Sequence, residues 1–264
     1  MALGNFSVVS GGESNSATED HAVIAGGKRN SVTQSHSAVS GGKYNRIAGK
    51  YSFIGSGQNN LVSAADSSVV GGKGNIMLGS YSMIGGGQGN SGSGTRNTIA
   101  GGYYNFVSGS DNLIGGGRYH TISGSSSVII GGSSNSIEAG RSASFIGAGT
   151  NNAVSRSRSG IVSGSSNLVS NTASLIGAGE ANRVLSRASM CSAGQNNSIS
   201  ALASFIGAGS SNEIKSLGTG SGAVIVGGSL NIIGSAAGSY GSGSFIGAGN
   251  NNTASGNQSV VVGG

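Results

Sequence analysis

Apolar and polar positions follow one another along this chain in a frame that repeats every fifteen residues. Between Tyr81 and Asn105 the frame is plain: Ile84 and Ile99, Gly87 and Gly102, and Asn90 and Asn105 each stand fifteen apart. The same glycine recurs seventeen times from Gly12 to Gly264, unbroken as far as Gly132, and only three of the sixteen intervals differ from fifteen. Three residues before it stands a β-branched apolar residue, except where Cys191 takes the place. Three residues after it stands Asn, replaced once, by His120. Five before it stands Ser, replaced by Ala22, Asn97, Asn112 and Ala223, and five after it Val or Ile fills most repeats.

This frame predicts two short strands per repeat, one over Ser-x-Ile-x-Gly-Gly and one over Asn-x-Val-x. Side chains alternate sides along a strand, so Ser and Ile share one face and Asn and Val share another. Fifteen residues are too few for a strand and a helix but suit one coil of a flattened two-sheet solenoid. A single coil cannot bury its apolar residues, whereas stacked coils can. The expected fold is therefore all-β: a single-domain parallel β-solenoid, or β-roll, with two short strands per 15-residue coil and about 17 coils. The Asn column is expected to face inward at a corner and to hydrogen-bond up and down the stack. The Ser column is expected to bond to local backbone, and the Gly to supply a positive φ at the turn. No linker interrupts residues 1–264, so one repeat domain is expected. It starts almost at Met1 and stops in mid-repeat at Gly264, as a piece of a longer fibre or adhesin would.

The outward positions change the picture from a fold to a surface. Between Ser and Ile the chain carries Val8, Val23, Ala38, Phe53, Ser68, Met83, Thr98, Leu113, Val128, Phe145, Gly160, Leu175, Met190, Phe205, Val224, Phe245 and Val260, of which fourteen of seventeen are apolar. The next outward column holds only Ser, Ala, Gly, Val and Ile, and can be large where the first is small: Ser68 with Val70, Gly160 with Val162. The other sheet is expected to show Arg46, Arg183, Glu138, Glu213 and Lys215 among Ser and Thr. A soluble monomer rarely exposes so long an apolar stripe, and symmetric self-association is the default way to cover it. The expected interface is the stripe's large members: Val8, Val23, Phe53, Met83, Leu113, Val128, Phe145, Leu175, Met190, Phe205, Val224, Phe245 and Val260. A face-to-face dimer or three chains about a common axis would bury it, and the fibre-like repeats point to three.

Composition agrees with this reading. With 53 Gly among 264 residues and 8% charged side chains, the chain would pass for a flexible low-complexity segment. The Ile/Val columns supply what such a segment lacks. The absence of Pro suits paired strands. One cysteine gives no intrachain disulfide, and Cys191 sits in an inward column as a small hydrophobe. No signal peptide and no apolar run of transmembrane length is read, so no membrane insertion is expected.

Candidate chemistry is sparse. Six residues before the Gly, a column reads Phe6, His21, His36, Tyr51, Asp66, Tyr81, Arg96 and Asp111, which stacking would turn into a ladder along one edge. Three lengthened turns, near Gly140, over Leu217–Gly220 and between Asn231 and Ser244, fall at the same turn. That edge, with His21, His36, Tyr51 and Tyr81, is the expected place for ligand contacts. His21 and His36 lack further ligands to complete a metal set. Glycine triplets such as Gly147-Ala148-Gly149 recur in repeat after repeat without a following helix, so they read as turns, not phosphate loops. No nucleophile–base spacing and no paired carboxylates stand out, so no catalytic residue, metal or cofactor is expected. The net charge is +6, with Lys28, Arg29, Lys43, Lys73 and Arg118 at one turn and Arg156, Arg158, Arg183 and Arg187 in a second group. A basic edge attracts acidic glycans or anionic envelopes, or merely solubilises. Nucleic-acid binding is not expected, for want of interleaved aromatic platforms.

The Ser-x-Ile-x-Gly-x-Gly-x-x-Asn pattern, as in Ser204-Phe205-Ile206-Gly207-Ala208-Gly209-Ser210-Ser211-Asn212, resembles the head repeats of trimeric autotransporter adhesins and similar repeats in phage and viral fibres. The resemblance implies a left-handed parallel β-roll, a homotrimer formed through an apolar sheet, and host-surface binding through a glycan or other receptor. It implies an extracellular place on a cell or virion surface. Its function would be that of a structural attachment segment. A second stretch, Asn105-Phe106-Val107-Ser108-Gly109-Ser110-Asp111-Asn112-Leu113-Ile114-Gly115, is similar to plant ice-recrystallisation inhibitors, which implies ice binding as the alternative. Those proteins need a flat array of small hydroxyl and methyl groups, and large or charged residues interrupt both candidate arrays here.

Overall fold

The computed structural model describes residues 1–138, 140, 142–215, 221–234 and 241–264. It is all-β, a parallel solenoid of about 16–17 coils with two short strands to each turn of about fifteen residues. Two compact units, Met1–Gly132 and Ser133–Gly264, are described separately.

In the first unit the strands run from Val8–Val9 to Val128–Ile129, and each is two residues long. Every coil gives one strand to a front sheet, such as Val23–Ile24, and one to a back sheet, such as Ser31–Val32. Pairing is parallel and steps by one coil: Val8 faces Val23, Phe53 faces Ser68, and Arg46 faces Leu61. The strands are shorter than the sequence suggests because corners close on both sides of each pair. Backbone hydrogen bonding nevertheless continues past them, as in Ser10 N–H to Ile24 O at 3.0 Å and Glu13 N–H to Gly27 O at 2.9 Å.

The core is a thin double line. Ile24, Val39, Ile54, Val69, Ile84, Ile99, Ile114 and Ile129 from the front sheet are fully buried against Val32, Ile47, Val62, Met77, Val107 and Ile122 from the back. Each is worth roughly 1.5–3 kcal/mol against exposure. One coil departs from this pattern. Gly92 takes an inward place in the back sheet, and the Met77 side chain fills it: a Cβ on Gly92 would stand 2.8 Å from Met77 Cε.

Polar ladders close the two corners. Asn15, Asn30, Asn45, Asn60, Asn75, Asn90 and Asn105 are buried, as the sequence suggests. Each Oδ1 accepts the backbone N–H of the next column member, for example Asn45 to Asn30 at 3.0 Å. Each Nδ2 donates to carbonyls four residues back and on the next coil, as from Asn45 to Gly41 O and Gly57 O, both at 3.0 Å. His120 continues the column, donating its N–H to Asn105 Oδ1 at 3.0 Å. The buried Ser column works likewise. Ser52 Oγ shares its proton between Lys50 O at 3.0 Å and Ala64 O at 2.9 Å, and accepts the N–H of Ser67 at 3.4 Å.

The corners follow an interchangeable rule. At the Asn corner a Gly of positive φ comes three residues before the Asn, and the residue just before the Asn is left-handed, such as Tyr44 at φ 58° before Asn45. At the Ser corner the residue before the Ser is left-handed too, including Phe6, His21, His36, Tyr51 and Tyr81. Where Asn97 and Asn112 replace Ser, Gly94 and Gly109 stand three before them at φ 86° and 87°. Asn97 then donates to Gly109 O at 2.9 Å, and Asn112 to Gly124 O at 2.8 Å, so that corner takes the Asn corner's form.

The second unit repeats the plan from Ser136–Ile137 to Val260–Val261. Its inward line includes Ile146, Ile161, Ile176, Cys191, Ile206, Ile225 and Ile246, all fully buried. The lengthened turns lie largely outside the described residues, among them Leu217–Gly220 and 235–240. The ladder resumes beyond each one. Asn231 N–H donates to Asn212 Oδ1 at 3.1 Å across nineteen residues, and Asn252 N–H to Asn231 Oδ1 at 3.1 Å across twenty-one. Phe205 faces Val224, and Val224 faces Phe245, in unbroken register.

Candidate functional site

The outward face of the front sheet is apolar and exposed in both units. In the first unit Val8, Phe53, Met83 and Leu113 are exposed, and Val23 and Val128 are half-buried. In the second, Phe145, Met190, Phe245 and Val260 are exposed, and Leu175, Phe205 and Val224 are half-buried. The neighbouring column adds Val70 and Ile130 in the first unit, and Val162, Val226 and Val262 in the second, all exposed.

At several coils the two columns compensate for one another in volume. Phe53 lies over Gly55, and Phe145, Phe205 and Phe245 lie over Gly147, Gly207 and Gly247. In these four cases a ring carbon stands 3.2–3.5 Å from where a Cβ would be. Where the first column is small, as at Ser68 and Gly160, Val70 and Val162 fill the second. At these coils a large side chain is paired with a small neighbour, whereas Val128 with Ile130, Val224 with Val226 and Val260 with Val262 are large in both columns. The sequence carried the small–large half of this rule openly. The Phe–Gly half was in the same two columns but emerges only with the ring orientation.

The back sheet is mixed. Arg46 and Arg183 are exposed, Glu213 and Lys215 form a loose pair at 3.9 Å, and Ile76, Leu78 and Phe106 are also exposed.

At the Ser corner of the first unit, the rings of Phe6, His21, His36 and Tyr51 stack in sequence, with centroids 5.1, 4.7 and 5.1 Å apart. Tyr81 is exposed on the same column. A histidine's metal-binding lone pairs lie in the ring plane, so face-to-face rings do not aim them at one point between them. Further along, Arg96 holds Asp111 through Nε to Oδ1 at 2.6 Å and Nη2 to Oδ2 at 2.9 Å. Those hydrogen bonds keep the Asp111 carboxyl below its ordinary range. Among the described residues, no group of three or more His, Cys, Asp or Glu side chains is placed to hold a metal ion.

The Asn corner of the first unit gathers cations and tyrosines that the sequence reading kept apart. Lys28, Lys43, Gln58, Lys73, Gln88, Tyr103 and Arg118 form one run of parallel bridges, coil upon coil. Beside them in the left-handed column stand Arg29, Tyr44, Asn59, Tyr104 and Tyr119. The Arg29 guanidinium sits 5.7 Å from the Tyr44 ring centroid and donates to its hydroxyl at 3.2 Å. Tyr103 meets Tyr104 and Tyr119 edge-on, at 4.5 and 5.6 Å, and Tyr104 lies parallel to Tyr119 at 6.2 Å.

Cys191 is buried in the front-sheet core, and burial pushes its thiol up to about 12. At pH 8 the thiolate fraction would be ~10⁻⁴. A thiol-specific reagent is expected to leave native protein unlabelled and to label one site after unfolding; native labelling at the unfolded rate would contradict this placement. No protein-family model matches this sequence, and no curated protein is significantly similar to it.

Proposed function

We propose that this chain is a structural and attachment segment of a fibre, of the kind found in trimeric adhesin heads and viral or phage fibre shafts. It works outside the cell or on a virion surface and extends the point of contact with a host. Three copies associate through the front sheet. The reading assigns it no catalysis and no cofactor.

The exposed apolar front face carries this reading. Inward Ile and Val already fill the core, so the outward Phe, Met and Leu lie outside it and remain partly exposed. Phe145 is 37% exposed and its neighbours in the stripe are similar, so covering what remains of each would contribute roughly 0.5–1 kcal/mol. Summed along the whole stripe, that offsets an association cost of at least about 4 kcal/mol. The Phe-over-Gly pairing supports it further, because it flattens the face at those four coils.

Light scattering at micromolar concentration tests the proposal. The wild-type chain is expected at three times the monomer mass. Phe145→Asp would bury an unpaired charge in every subunit and is expected to dissociate the assembly. Ser123→Asp, on the back sheet, is expected to leave the mass unchanged. A twofold mass would replace the trimer by a face-to-face dimer. A monomeric wild type would defeat self-association and favour the ice-binding alternative, which a recrystallisation assay then decides.

A further inference from the structure

We propose that the Asn corner of the first unit is a binding track for a linear anionic polysaccharide, a sulfated or carboxylated sugar chain. This deepens the attachment reading by naming a ligand class, and it places the contact on the corner opposite the Phe6–Tyr51 stack.

The track is built from two adjacent columns. Along one, Lys28, Lys43, Lys73 and Arg118 recur with Gln58 and Gln88 between them, in parallel bridge register. Successive coils are about 4.8 Å apart, so the cations recur at one-, two- and three-coil intervals. Along the other, Arg29 is held against Tyr44. These basic residues and tyrosines are exposed. The nearest acid on the track is Glu13, which pairs with Lys28 at 2.9 Å at one end. Among the described residues, neither Lys43 nor Lys73 has a carboxylate partner within salt-bridge range. Like charges such as Lys43 and Lys73, without a carboxylate partner, raise the local concentration of polyanions.

The spacing and chemistry favour a sugar chain. Lys28, Lys43, Lys73 and Arg118 form a single line, with Arg29 beside it, which fits a chain better than a plane of lipid headgroups. The amides of Gln58, Asn59 and Gln88 donate and accept, as sugar hydroxyls require. Single-stranded nucleic acid would need open aromatic faces along the track. Here Tyr103, Tyr104 and Tyr119 pack on one another at one end, and Arg29 lies against Tyr44. The ring faces are largely engaged, while Lys43 and Lys73 are exposed.

The test uses the full chain with three probes: heparin, hyaluronan and a single-stranded oligothymidylate. Binding is read by fluorescence anisotropy, and assembly mass by light scattering on the same samples. Lys43→Gln with Lys73→Gln is expected to weaken heparin binding by about tenfold or more. The control removes the same charge elsewhere, with Lys50→Gln and Arg156→Gln, both exposed; it is expected to change binding by less than about twofold. Hyaluronan, with carboxylates alone, is expected to bind more weakly than heparin but to show the same ranking of variants. Equal losses in the two double variants would reduce the effect to net charge and overturn the track. Tighter binding of the oligothymidylate than of heparin, or no binding of either sugar chain, would also overturn it. Because mass is read separately, loss of the track leaves the front-sheet assembly standing, and the reverse.

Discussion

Gly102→Ala is expected to break the corner it occupies and to destabilise the protein by about 3 kcal/mol or more. Gly102 has a φ of 103°, outside the small left-handed region that other residues visit. A Cβ there would stand 2.2 Å from Gly117 O and 2.5 Å from Asn105 Nδ2. The first is backbone of the next coil and cannot swing aside. Relief would require the two coils to part, with loss of the Tyr103 N–H to Gly117 O bond. Gly101 is the control: a Cβ there meets nothing within 4 Å, and the same column holds Ser56, Ala148 and Ala178 elsewhere. Gly101→Ala should be near neutral. Urea unfolding at one fixed protein concentration compares the two, since assembly makes stability concentration-dependent. Equal midpoints for the two variants would mean that the corner is not held as described.

Asn105→Ala is expected to cost about 1–3 kcal/mol. The side chain donates to Gly101 O and Gly117 O, both at 3.1 Å, and accepts the His120 N–H at 3.0 Å. Truncation removes those bonds in a place water does not reach. Asn105→Asp is expected to be worse at neutral pH. It keeps the acceptor for His120 but sets a carboxylate against two carbonyl oxygens. An unchanged midpoint for Ala, or a milder effect for Asp than for Ala, would count against the ladder's role.

How far the sequence revealed these features depended on which force set each column. The Ile and Asn columns were legible because burial admits few alternatives there, and the structure places Ile54, Ile84, Asn60 and Asn90 inside. The left-handed corners were harder to see. Bulky residues rarely take that conformation, so Phe6, Tyr51 and Tyr81 disguised a turn that Asp66 and Asp111 in the same column hinted at. The pairing of Gly94 with Asn97 and of Gly109 with Asn112 was visible as letters, yet its meaning required the shared corner geometry. The tyrosines of the basic corner escaped notice because Tyr103 and Tyr104 fall in two adjacent columns that the structure sets side by side.

Met77 and Gly92 have a kinetic consequence. Most coils present nearly the same inward residues, so a strand pairing one coil out of step would bury almost as much apolar surface as the native pairing. Register is weakly specified where pattern alone sets it, and misaligned stacks become traps during refolding. A large residue matched to an absent side chain on the next coil makes one alignment cheaper than its neighbours. Such irregularities act as indexing marks in a chain whose regularity would otherwise leave its growth without a fixed origin.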